Sequence, residues 1–396
     1  MAQLEQIDRA LAAAAERGDV PGVVAMAATR EGPVYQGAFG RRALPDGAAM
    51  TADTVFWIAS MTKAVTSTAA MQLVEQGRLA LDEPIAAVLP ELAAPQVLEG
   101  FDAAGEPKLR PARRPITLRH LLTHTSGFCY EIWNADIGRY LEKCGVPGII
   151  TCENAALALP LTFDPGEKWD YGIGIDWAGK AVERVSGQRL GDYFREHLFR
   201  PAGMNDTGFA LTPERRARLG GMHARGEDGG LAAIPFEMPQ APEFEMGGGG
   251  LYSTAADYLA FTQLFLNEGC AGSGAQLLKP ETVRLMARNA IGDLRVCLLK
   301  TAVPASSNDA EFFPGMVKKW GLGFMISTGP VPGGRRAGSL AWAGLGNTYF
   351  WIDPSAGVTG VILMQLLPFA DPKALAVFAD FEKALYAALP GRSGAF

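Results

Sequence analysis

The sequence predicts an α+β fold: one antiparallel sheet assembled from both ends of the chain and flanked by the terminal helices, with a mainly helical domain inserted between them. Two observations carry this expectation. Stretches rich in β-branched and aromatic residues, spaced like hairpins, lie near both termini, while the middle of the chain reads as helices separated by Pro/Gly loops. At 396 residues, 48% of them hydrophobic, the chain is also long enough to bury a large core. The changes of pattern place a discontinuous sheet domain over 1–81 and 311–396 and the insertion over 82–310.

In chain order, Leu4, Ile7, Leu11 and Ala15 recur at helical spacing up to Gly18. GVVAMAATREGPVYQGAFG then reads as two strands around a turn at Arg30-Glu31-Gly32. Asp53 or Thr54 is placed to cap a helix that runs to about Gly77. Inside the insertion the clearest helices are ITLRHLLTHTSGF, GIDWAGKAVERVSG, LGDYFREHLFRPAG, TAADYLAFTQLFLNEG and KPETVRLMARN. Strands return with WGLGFMIST, SLAWAG, NTYFWIDP and GVTGVILMQL, and the amphipathic DPKALAVFADFEKALYAAL closes the pattern.

Net charge is −6 and the basic runs LRPARRP and PERRARL are short, so no surface tracks a phosphate backbone and nucleic acid is not an expected partner. The first 22 residues carry Glu5, Asp8 and Glu16 where a secretory signal would be apolar. Runs such as GVTGVILMQLLPFA are too short to span a bilayer, so a soluble, cytoplasmic protein is expected. Cys129, Cys144, Cys152, Cys270 and Cys297 form no CxxC pair and read as free thiols, although Cys144 and Cys152 are close enough in sequence to bridge. His120 and His124, four apart, would need a third ligand to hold a metal, and no HExxH supplies one. Neither a metal nor a cofactor is expected.

The chemistry is carried by WIASMTKAVTS, residues 57–67. Ser60 and Lys63 stand three apart at the start of an apolar helix, where both side chains share one face. A serine at that end lies at the positive pole of the helix, and a lysine among Trp57, Ile58, Ala59, Met61 and Val65 loses hydration and basicity. A neutral amine beside a hydroxyl can activate it without histidine. With 12 serines and 11 lysines in the chain, such a pair arises by chance in about every third chain of this composition, so partners are required. KWDYGIGIDWAG presents Tyr171 in a Gly-rich turn before a helix. LAWAGLGNTYF offers a small-residue break at Ala343-Gly344, where a substrate could approach a strand edge and a backbone N–H could bind an oxyanion. EMGGGGLYST reads as structural support for the cleft, and no GxSxG points to an α/β-hydrolase elbow.

In order and spacing these elements resemble the serine β-lactamase and penicillin-binding-protein superfamily, in particular its class C-like branch. SMTK matches S-x-x-K, Tyr171 the tyrosine of Y-x-N, and Trp342-Ala343-Gly344 falls where K-T-G would be. THTSGF and GGGGLYSTAADYLAF are also typical, and the resemblance covers nearly the whole chain. Within the branch it is nearest to family VIII carboxylesterases, through W-A-G, and to lovastatin-type acyltransferases, through DYGIGIDWAG.

The resemblance implies a β-lactamase-like fold and acyl transfer through an acyl-enzyme on Ser60, activated by Lys63 and Tyr171. It also implies an oxyanion hole at the N–H groups of Ser60 and Leu345. Two departures bear on the substrate: Trp342 and Ile173 stand where the pattern has a lysine and an asparagine. A charged β-lactam would lose a charge-assisted contact of about 1.5–3 kcal/mol there, whereas a neutral ester would lose nothing. The expected activity is therefore hydrolysis of small to medium hydrophobic esters, with transfer to an alcohol as the alternative. A β-lactamase or D-amino-acid peptidase, or a non-catalytic binder of the same fold, stands further off. Aromatic residues near these motifs, Phe128, Tyr130, Trp133, Trp169, Tyr252 and Trp342, are expected to line an apolar pocket, Trp342 and Tyr130 foremost, with Gly344 and Ile173 also at the substrate.

Overall fold

Leu4–Glu16 (α1) buries Ile7, Leu11 and Ala14 along one stripe, and the chain then turns into Gly22–Thr29 (β1) and Gly32–Gly40 (β2), the hairpin expected around residues 30–32. The computed structural model describes residues 4–389; the outermost positions of the expected sheet domain, 1–3 and 390–396, lie outside the described residues. After Thr62–Glu75 (α2), Gly174–Ser186 (α3) and Ala255–Leu266 (α4), five strands follow. They are Lys318–Trp320 (β3), Met325–Ser327 (β4), Leu340–Gly344 (β5), Thr348–Asp353 (β6) and Val358–Leu363 (β7), and Pro372–Ala388 (α5) comes last.

These strands form one antiparallel sheet in the order β2-β1-β7-β6-β5-β4-β3. The first hairpin of the chain thus joins the last hairpins through β1 and β7. Every residue of β1, β5, β6 and β7 is buried, because α1 and α5 pack together against the sheet while α4 packs against β1, β6 and β7. A sheet covered on both faces selects continuous apolar runs such as VTGVIL in place of alternation.

One expectation needs correction. The helix carrying the Ser60/Lys63 pair does not start at Asp53 or Thr54. Those residues hydrogen-bond around Thr51, and a two-residue strand, Phe56–Trp57, pairs with Tyr252–Ser253 before the helix begins. The segment between the halves of the sheet is mainly helical and also carries short strands. It contains the hairpin Gln96–Phe101/Pro107–Pro111 and the pair Met222–Arg225/Leu231–Ile234, which adds Leu366–Leu367. No helix among the described residues is long and apolar enough to cross a membrane. The five cysteines are free, so Cys144 and Cys152 do not bridge.

Candidate active site

Ser60 sits in a short 3-10 turn, Ala59–Met61, that leads directly into α2. Ala59 is held at φ 45°, a left-handed conformation that costs a non-glycine residue about 1–2 kcal/mol. The surroundings impose it. The Ile58 N–H donates to the Leu251 carbonyl at 3.0 Å, the Trp57 indole donates to the Gly249 carbonyl at 2.7 Å, and Gln365 donates to the Trp57 carbonyl at 2.9 Å. The turn that carries Ser60 is therefore pinned from three sides.

Lys63, one turn on, is fully buried. Its Nζ lies 3.1 Å from Ser60 Oγ, 2.9 Å from Tyr130 Oη and 2.6 Å from the Gly248 carbonyl. Burial pulls its pKa well below the ordinary lysine value, while the nearby charge of Asp176 pushes the other way. Asp176, in the first turn of α3, is itself raised by burial. It does not touch the amine. Its Oδ1 accepts the Gly248 N–H at 2.7 Å, so Gly248 stands between acid and amine, its carbonyl to one and its N–H to the other. A Cβ at Gly248 would lie 2.4 Å from Asp176 Oδ2, which leaves room for glycine alone. The GGGG turn expected as support is thus the part that locates Lys63; Thr66 of α2 fastens it at the Gly247 carbonyl.

Tyr171 is buried, and its hydroxyl is within hydrogen-bond reach of Ser60. Burial raises its pKa well above 10, which keeps the phenol protonated. Trp342 Nε1 donates to Tyr171 Oη at 2.9 Å, occupying an acceptor position of the phenol. Behind them Trp169, Trp320 and His124 pack as an aromatic block. His124 leaves the preceding helix at φ 57° and is held neutral by burial, whereas His120 completes a capping box with Thr117. The two histidines do not share a site. Among the described residues, no group of three His, Cys, Asp or Glu side chains is placed to hold a metal.

A cavity of about 270 Å³ opens above Ser60, walled by Trp57, Tyr130, Trp133, Phe236, Leu345 and other apolar side chains. Leu345 begins the turn after β5, and among the described residues its N–H donates to no backbone or side-chain acceptor. The N–H of Ser60 lies in the first turn, where no earlier helical carbonyl reaches it. Both residues face the cavity, which leaves two donors for an oxygen bound there.

Of the positions expected at the substrate pocket, Tyr130 and Trp133 line this cavity, and Tyr130 also touches Lys63. Trp342 is turned behind Tyr171, Phe128 stacks on Trp177, and Ile173 is fully buried at the start of α3. Gly344 serves a close approach of protein to protein: a Cβ there would lie 2.2 Å from the Ile58 carbonyl, so the glycine lets β5 reach the Ser60 turn. Sequence reasoning missed Asp176, whose only local signal was its place one turn after Tyr171, and Glu131, which follows Tyr130 into the cavity wall.

A serine, a buried lysine and a tyrosine converging below a strand edge is the arrangement that the motif pattern implied. The beta-lactamase family profile matches residues 7–384. The chain belongs to that family. Among its relatives in the beta-lactamase family, monacolin J acid methylbutanoyltransferase of Aspergillus terreus is 34% identical, over 96% of this chain and 95% of its own. Lovastatin esterase of Penicillium rubens is also 34% identical, over 91% of this chain and 92% of its own. A mutant of simvastatin synthase from Aspergillus terreus superposes with a TM-score of 0.83 at 33% identity, covering 98% of this chain and 99% of that one. The fold is accordingly the β-lactamase-like one, near the lovastatin-type acyltransferases, and the protein is an enzyme of the serine acyl-transfer class.

Proposed function

We propose that this protein moves acyl groups from small to medium hydrophobic esters through an ester on Ser60 and delivers them to an alcohol, with water completing the same cycle as a hydrolase when no alcohol is bound. The observation that carries this is the set Ser60–Lys63–Tyr171 at the foot of an apolar cavity, with the lysine buried and short of a bound carboxylate. In its neutral form Lys63 keeps donating to the Gly248 carbonyl and turns its lone pair to Ser60 Oγ. The serine oxygen attacks the ester carbonyl as its proton passes to Nζ. The N–H groups of Ser60 and Leu345 hold the oxygen that becomes negative, each donor being worth about 3–4 kcal/mol.

Collapse breaks the bond to the leaving alcohol, whose oxygen takes the proton back from Lys63, with the Tyr171 hydroxyl as the relay. The phenol suits a relay better than a base, since burial opposes its ionisation. The acceptor alcohol then attacks the acyl-Ser60 carbonyl and the same proton path runs again. Relatives whose names specify methylbutanoyl transfer and lovastatin hydrolysis support both acceptors, and the apolar wall supports a neutral acyl chain.

The test is turnover of p-nitrophenyl butyrate with and without an added alcohol. Wild type should release p-nitrophenol and, with alcohol present, form the new butyrate ester; Ser60→Ala should do neither. Butyric acid as the sole product over a series of alcohols would reduce the reading to a carboxylesterase. Equal turnover by Ser60→Ala would remove Ser60 from the chemistry.

A further inference from the structure

One side chain in the cavity wall does not fit an apolar tunnel. Glu131 lines it between Tyr130 and Ile132, and it is the only charged residue among those that do. Among the described residues it forms no ion pair, and the only hydrogen bond to its carboxyl comes from its own backbone N–H. Partial burial raises its pKa, and among the described residues no cation pairs with it. Its Oε1 lies near Gly148, beside Ile149 and Ile150 on the opposite lip. Aromatic rings line the same cavity: Tyr130 and Trp133 meet edge-on at 6.0 Å, and Trp57 and Phe236 lie 4.5 Å apart.

We propose that Glu131 and these rings form a subsite for a substituted ammonium group carried by the alcohol part of the substrate. The inference rests on the acyl-transfer reading and adds a substrate class to it. A carboxylate in a cavity of low polarity attracts a cation strongly, and aromatic faces add to that attraction while tolerating the methyl groups of an alkylammonium. A hydrophobic cation also suits the remaining wall, since it arrives with little hydration to lose. The alcohol part is assigned because the leaving oxygen is reprotonated from Lys63, which Tyr130 contacts, and Glu131 is the next residue along that wall. An anionic substrate would meet a like charge and find no cationic side chain among those lining the cavity.

The experiment compares butyrylcholine with 3,3-dimethylbutyl butyrate, which replaces the ammonium nitrogen by carbon and leaves the shape unchanged. Wild type should favour the cationic ester in kcat/KM by about tenfold. In Glu131→Gln that ratio should fall to near one, and Glu131→Asp should keep part of it. Using a ratio within each variant removes the effect of partial misfolding. A ratio near one in wild type, or an undiminished ratio in Glu131→Gln, overturns the subsite while p-nitrophenyl butyrate turnover still supports acyl transfer. Loss of all three ester activities in wild type overturns the acyl-transfer reading itself, and the subsite with it.

Discussion

Lys63 and Arg335 are both cationic side chains withdrawn from solvent, yet they have opposite surroundings. Arg335 is gripped by Glu382 of α5: Nε reaches Oε1 at 2.9 Å, Nη2 reaches Oε2 at 2.5 Å, and the backbone N–H adds a third bond. The ring of Trp351 lies 5.1 Å from its guanidinium carbon. Lys63 has a carbonyl and two hydroxyls, and the nearest acid is kept off by Gly248. A bidentate carboxylate fixes a charge in place and joins two elements; neutral acceptors leave a charge free to depart as a proton. The same burial therefore serves cohesion at one site and reactivity at the other.

Removing each partner should expose this contrast. Lys63→Met deletes the proposed base without opening a large cavity. We expect kcat/KM to fall by about 10²–10⁴, while the thermal midpoint holds or rises because a buried charge without a bound carboxylate has gone. A marked loss of stability would mean that Lys63 is structural. Glu382→Ala strands Arg335 and should cost about 3–5 kcal/mol in urea unfolding, with the kcat of the folded fraction retained. A cost under about 1 kcal/mol would show that the pair is not what holds α5 to the sheet.

Smaller effects refine the reactive side. Trp342→Phe removes the donor to Tyr171 Oη and should lower kcat about tenfold, with KM little changed; a rise in KM alone would return Trp342 to the substrate wall. The rate should also report the lysine. As pH falls through the depressed Lys63 pKa the amine gains a proton and cannot accept one from Ser60, so kcat/KM should decline on an acid limb lying well below 10.5. The Asp176 charge raises that pKa, so Asp176→Asn should move the limb to lower pH. An unmoved limb would show that Asp176 acts on Gly248 alone.

The sheet and the Ser60/Lys63 pairing could be read from the sequence because their signals are local. Period and turn residues mark β1, β2 and the strands after residue 317, and Ser60 and Lys63 are one helical turn apart. Trp342, expected at the substrate, packs behind Tyr171, and the sequence could not show this for a physical reason. It lies in β5, buried on both faces, where alternation cannot tell the wall of a cavity from the packing behind a tyrosine. Asp176 acts on Lys63 across Gly248, and no spacing links positions 63, 176 and 248 until the chain is folded. Glu131 lacked a signal because an acid after an aromatic residue is ordinary at a surface, and only the cavity makes it unusual.

The parts of the site also differ in origin. The proposed chemistry rests on α2, the start of α3 and the glycine turn that clasps them, all held by several bonds. The cavity wall is gathered from separate turns: Glu131–Trp133, Ile149 and Ile150, Phe236, and Val303 to Ser306. Selection can therefore redraw the wall one turn at a time while the machinery beneath stays untouched. Such a division makes substrate range the evolvable trait of this scaffold and acyl transfer its inherited one.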